Sequence, residues 1–188
     1  IYPQFQLPDN YEVLLEPEAG FLDVGNAITR YALLAQSSGA EIHTGEKVME
    51  WKRAGDTTEV VTDKARYHCK KLVITAGPWS AQLIPGIKDK LRISRQVLSW
   101  MQPAEPEKFA REVFPCWMIV KPGTEGSYYG FPAMKAGEFG GPAGMKMALH
   151  YPGTTTSPES IDRTVHPKEL DHLAAFTKEY IPGASEKI

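Results

Sequence analysis

The sequence predicts an α/β (α+β) chain: part of a doubly wound domain with a β-meander, followed by a mostly antiparallel sheet covered by helices. Three observations carry this. Apolar residues recur at helical spacing over 24–38. Short period-two pieces then crowd between residues 41 and 75, ending in an apolar run just before Ala76-Gly77-Pro78-Trp79. From about residue 92 strand patterns of another kind take over, and a second long helical pattern occupies 167–180.

The elements follow in order. Residues 1–10 carry Pro3 and Pro8 among polar residues and predict an extended lead-in; 13–15 predict a short strand closed by Pro17 and Gly20. Asp23 is a suitable N-cap. Ala27, Ile28, Tyr31, Leu34 and Ala35 form a helical stripe, and Ser37-Ser38-Gly39 stops it. Pieces 41–44, 48–53, 59–62, 66–69 and 72–75 alternate like strands, separated by Gly45, Gly55-Asp56 and Asp63-Lys64. Leu72-Val73-Ile74-Thr75 is apolar on both faces, as a buried parallel strand would be. Pro78 suits the first turn of a helix over 79–83. Helix, meander, buried strand, glycine turn and helix together have the order of the middle of a dinucleotide domain. Beyond it, 91–101, 116–120, 128–132 and 145–150 predict strands. The helix 167–180 carries Leu170, Leu173, Ala174, Phe176 and Thr177 on one side and stops at Pro182-Gly183. The expected segments are a lead-in to the second domain (1–20), the partial doubly wound domain (21–91) and the second-domain sheet and helix (92–188).

Composition excludes several function classes. Lys plus Arg number 21 against 23 Asp plus Glu, so no basic excess is available for nucleic acid or an anionic membrane. No apolar run approaches the roughly 18 residues of a membrane span. Cys69 and Cys116 fit neither a metal spacing nor a disulfide framework, so a cytoplasmic setting is expected. The start at Ile1, without methionine, suggests a piece of a longer chain. Oligomeric state leaves no signal.

Several chemistries fail on their own requirements. The stretch Gly137 to Gly144 lacks the Lys and Ser or Thr of a phosphate loop, and Pro142 removes a donor, so a hairpin loop is expected. His43 and His68 have no completing metal ligands, His166 and His172 fall on different helix faces, and no Gly-x-Ser-x-Gly elbow occurs. The informative cluster is Tyr128-Tyr129-Gly130-Phe131-Pro132 with Met145-Lys146-Met147-Ala148-Leu149-His150. On a strand, Met145, Met147 and Leu149 share one face, and Lys146, Ala148 and His150 the other. If the Tyr129 strand pairs alongside, a phenol, an ammonium and an imidazole converge. Spacing alone describes a solvated Lys–His face equally well.

At these residues the chain resembles the monomeric sarcosine oxidase and N-methyltryptophan oxidase family, within the FAD-dependent amine and D-amino-acid oxidases. The matching pieces are Glu16-Pro17-Glu18-Ala19-Gly20-Phe21-Leu22, the segment Leu72 to Trp79, Arg95-Gln96-Val97, Tyr128 to Pro132, the Lys146-to-His150 spacing and Pro182-Gly183-Ala184. The resemblance implies an FAD cofactor and oxidation of a small secondary amine acid by O2, giving an imine and hydrogen peroxide. It implies that Tyr129 and His150 line the substrate cavity, and that Lys146 stands near the flavin, where an ammonium stabilises reduced oxygen. Val48 would meet the adenine side through its backbone. The Ala76, Gly77 and Trp79 turn would lie against the cofactor, Gly77 permitting close approach.

The departures are equally definite. The chain contains no Gly-x-Gly-x-x-Gly fingerprint. The family's flavin-linking cysteine would fall past Ile188 and its substrate-gripping arginine before Ile1. About the middle half of such an enzyme is thus expected here. In isolation this piece is not expected to hold FAD or turn over. A D-amino-acid dehydrogenase-like flavoenzyme and a non-catalytic ligand-binding module of the same fold are the alternatives.

Overall fold

A computed structural model describes residues 2–151 and 153–185; Ile1 and the last three residues of the expected third segment lie outside them. The chain forms two compact units, one of residues 1–30, 96–154 and 162–188, the other of residues 31–95 and 155–161.

Helix α1 (Val24–Ser37) starts where Asp23 accepts the Asn26 backbone N–H at 3.0 Å, a satisfied N-cap. It stops at Gly39, whose φ of +90° is a left-handed cap; Ala40 N–H donates to the Ala35 carbonyl at 3.0 Å. No residue of α1 is buried, so its apolar stripe is uncovered among the described residues.

Strands β1 (Val48–Ala54), β2 (Thr57–Thr62) and β3 (Arg66–Cys69) form an antiparallel meander in that order. A two-residue turn joins the first pair, and Gly55 supplies its positive φ of 62°. Lys52 and Arg66 flank Glu59 across the sheet, each 2.9 Å from its carboxylate. The Trp51 indole N–H donates to the Leu83 carbonyl at 2.6 Å, tying β1 to helix α2 (Ser80–Leu83). A 3₁₀ turn, Gly77–Trp79, leads into α2 with Pro78 in its first turn, as predicted.

Four expected strands are corrected. Residues 13–15 and 41–44 are irregular, and Leu14 is 96% exposed. Residues 72–75 are also irregular, with Val73 82% exposed. An apolar pattern on both faces states how a strand would be covered. A parallel strand also needs neighbours, and no described segment pairs with this one. The expected strand over 91–101 shrinks to β4 (Leu98–Met101) because its first half bonds elsewhere. Ser94 bridges Thr155, and Thr156 N–H donates to the Ile93 carbonyl at 3.0 Å.

The second sheet adds β5 (Trp117–Ile119), β6 (Ser127–Met134) and β7 (Gly144–His150), all antiparallel in the order β4-β7-β6-β5. One face is the core. Met101, Trp117, Ile119, Tyr128, Met145 and Met147 are buried there, and helix α3 (Asp171–Tyr180) adds Leu173, Phe176 and Tyr180. Phe176 stacks on Tyr128, Tyr180 and Trp117 at 3.8, 4.8 and 5.8 Å. Gly130 is obligatory here: a Cβ would sit 2.5 Å from the Trp117 ring. No helix among the described residues is long and apolar enough to cross a membrane.

Candidate functional site

The other face of the second sheet gathers the predicted polar residues. Period-two alternation buries Tyr128, Gly130 and Pro132 of β6 and turns Tyr129 and Phe131 the opposite way. Tyr129 pairs with Ala148, so it stands beside Lys146 and His150 as their diagonal neighbour on the adjoining strand. The Tyr129 and His150 rings lie 6.4 Å apart, at 76°. Lys146 directs Nζ over the Phe131 ring, 5.5 Å from its centroid, and makes no ion pair among the described residues. Phe131 stands 6.1 Å from Tyr129, again nearly perpendicular. Tyr129 and Lys146 are half-buried and His150 is exposed.

Loop 135–143 joins β6 to β7 beside this face. Its Gly141 lies against Trp100, where a Cβ would come within 2.9 Å of the ring, and Trp100 pairs with Lys146 on β4. Gln102 donates to the Ala143 carbonyl at 2.7 Å, and Glu138 accepts the Lys135 N–H at 3.0 Å. Phe139 holds a left-handed φ of 56°, unfavourable for a bulky residue, while packing 5.3 Å from Phe21. Phe21 also lies 6.0 Å from Phe131. As predicted, the loop runs into a strand rather than a helix.

The four other predicted site residues belong to the second unit. Val48 opens β1, paired with Thr62. Ala76 precedes the 3₁₀ turn. Gly77 has φ +52°, with nothing within 4 Å of where a Cβ would stand, so its backbone is open to close approach. Trp79 donates its indole N–H to Glu159 at 3.1 Å. The Gln82 amide, donating at 2.9 Å, is the largest influence holding the Glu159 carboxyl below the usual range.

The scattered histidines form no metal centre among the described residues. His43 lies between Glu41 and Glu46, 3.5 and 3.6 Å away, while His68 pairs with Glu59 across β2–β3. Burial raises the Cys116 thiol pKa, which fits packing rather than a reactive thiolate. A cavity of about 580 Å³ lies beside β5, lined by Phe5, Leu14, Phe21, Trp117, Met118 and Pro132 among others. It includes none of Tyr129, Lys146 and His150, and its lining is mixed, with Tyr2, Glu16, Arg111 and Glu112 beside the apolar side chains.

Sequence reasoning did not single out Phe131 as the ring beneath Lys146. Its two-residue offset from Tyr129 was the available signal. The approach of Phe21, more than a hundred positions away, left none.

Residues 1–188 match the family described as FAD dependent oxidoreductase (DAO). The chain is 31% identical over 192 residues to a monomeric sarcosine oxidase of Bacillus sp. (strain B-0618), covering 100% of this chain and 47% of that protein. It is 34% identical over 178 residues to the monomeric sarcosine oxidase of Streptomyces avermitilis, covering 93% and 45%. An N-methyl-L-tryptophan oxidase of Salmonella dublin matches at 30% over 132 residues, 70% of this chain and 34% of that protein. The chain therefore spans about half the length of the sarcosine oxidases it matches. Among solved structures, the open form of NikD, described as an unusual amino acid oxidase essential for nikkomycin biosynthesis, shares the fold. Its TM-score is 0.59 at 21% identity, covering 86% of this chain and 41% of that one.

Proposed function

The chain belongs to the family of FAD dependent oxidoreductases (DAO), and from that premise we propose that it carries part of the site of an amine oxidase. The substrate class is a small secondary amine acid, such as an N-methyl amino acid. The products are the imine, open to hydrolysis to an aldehyde, and hydrogen peroxide from O2. The observation that supports this reading is the common face of β6 and β7, where an ammonium without a carboxylate partner among the described residues, a phenol and an imidazole stand together.

The residues present fit FAD in chemistry. An aromatic and cationic face suits a planar, electron-accepting ring, and the open backbone of Gly77 suits close contact with a cofactor. Tyr129, Lys146 and His150 would border the ring; Val48, Ala76, Gly77 and Trp79 would hold the rest. The chemistry a bound FAD supplies is acceptance of two electrons from the carbon–nitrogen bond and their return to O2.

The protein's own groups do the remainder. The Tyr129 phenol and His150 imidazole orient the amine acid, and the imidazole takes the ammonium proton that must leave before the carbon–hydrogen bond can donate a hydride. The Lys146 charge stabilises negative charge developing on oxygen. Phe131 covers one side of that charge, which limits its screening by water.

The test is Lys146→Met in the full-length flavoenzyme, with each half-reaction followed by stopped-flow. Reoxidation by O2 should slow roughly 10²–10³-fold, while flavin reduction by sarcosine changes little. Equal changes in both halves, or none in reoxidation, contradict the reading.

A further inference from the structure

We propose that Phe131 is a positioning residue for the Lys146 ammonium, and that its ring does what a carboxylate partner does for lysines such as Lys52 and Lys108. The proposal rests on the reading of Lys146 given above. Lysine is a point charge on a flexible four-carbon stem, so an unpartnered lysine samples many positions. Some other cations meet carboxylates: Lys52 and Arg66 close on Glu59, Lys108 on Glu105, and Lys121 on Glu179 while also lying 5.3 Å over the Tyr180 ring. Lys146 instead has Nζ 5.5 Å over the Phe131 ring.

The difference has a chemical consequence. A carboxylate at hydrogen-bond distance would fix the ammonium but cancel its field toward an anion forming beyond it. An aromatic face attracts the cation through its quadrupole and carries no net charge, so the ammonium is held and its field survives.

The local fold serves this arrangement. The β6–β7 register shifts between Gly130 and Ala133, an irregularity of the kind that re-aims a side chain, and Phe131 lies within it. Two further rings then fix its plane: Phe21 at 6.0 Å and 84°, and Tyr129 at 6.1 Å and 85°. Both are near-perpendicular contacts, a favourable aromatic geometry. Trp100 pairs with Lys146 across β4–β7 but lies under Gly141 of the loop.

The experiment uses the full-length protein with Phe131→Leu, Phe131→Trp and Phe21→Leu, each also combined with Lys146→Met. The first readout needs no cofactor. With lysines carrying ¹³C-methyl labels, the Lys146 resonance should be shifted upfield by the ring beneath it, and Phe131→Leu should abolish that shift while Phe131→Trp keeps it. The second readout is the pair of half-reactions. Phe131→Leu should slow reoxidation about 3- to 30-fold, the range expected for a cation–π contact, with flavin reduction unchanged. Phe21→Leu should slow it less, Phe131→Trp should restore it, and Phe131→Leu should add nothing on Lys146→Met. An unshifted Lys146 resonance overturns the proposal. So does a Phe131→Leu effect that is equal in both half-reactions or persists without Lys146. Wild-type reoxidation in Phe131→Leu beside slow reoxidation in Lys146→Met overturns the role of Phe131 alone. Wild-type reoxidation in Lys146→Met overturns the reading of Lys146 on which it stands.

Discussion

The two antiparallel sheets bury different things. The four-stranded sheet hides methionines and aromatic rings beneath α3, and Met101, Met145, Met147 and Leu173 are all 0% exposed. In the three-stranded meander the buried residues are Thr58 and Glu59, and most of β1 is exposed. One sheet is held by a packed interior, the other by backbone pairing and cross-strand charges. A face can present polar side chains in a defined geometry only where the reverse face is rigid. The β6–β7 face meets that condition, since the strand that aims Lys146 and His150 also anchors Met145 and Met147.

The largest effect should come from Phe176→Ala, which removes a ring stacked on Tyr128, Tyr180 and Trp117. A loss of about 3–5 kcal/mol is expected in urea unfolding, against about 1 kcal/mol for Val60→Ala on half-buried β2. Equal losses would mean that both sheets are held alike. Gly130→Ala comes next: the new Cβ drives into the Trp117 ring, at a cost of about 1–3 kcal/mol and with a shift in tryptophan emission. An unchanged emission and midpoint would show that the packing there can yield.

The smallest effect tests the meander. Hydrogen bonds from Lys52 first, then Arg66, hold the Glu59 carboxyl below its usual range. A carboxyl depressed in the fold adds stability above its unfolded pKa and loses it as pH falls through the folded one. Glu59→Gln should therefore lower the unfolding midpoint at neutral pH and approach the wild type in acid. A difference constant across pH would show that the ion pairs contribute nothing.

What was legible in the sequence was local or periodic. Asp23 and Gly39 mark the ends of α1 because a cap and a left-handed stop are decided within a few residues. The alternation in Met145 to His150 was sufficient to assign both faces of β7, because a strand has only two. Residues 72–75 and 91–97 failed for one reason: a strand is a relation between segments. The first has no partner among the described residues, and part of the second bonds to residues 155 and 156. The phenol, ammonium and imidazole could be named from spacing once pairing was assumed. The ring beneath the ammonium and Phe21 beside it depend on a bulge and a distant chain segment, which no local pattern encodes.

The most direct measurement is a crystal structure of the full-length protein with FAD bound. The account predicts the isoalloxazine ring against the β6–β7 face, with Tyr129, Lys146 and His150 around it and the Lys146 ammonium within one water of the ring. A ring seated elsewhere, for instance in the cavity beside Phe5 and Trp117, with Lys146 left facing solvent, would contradict it.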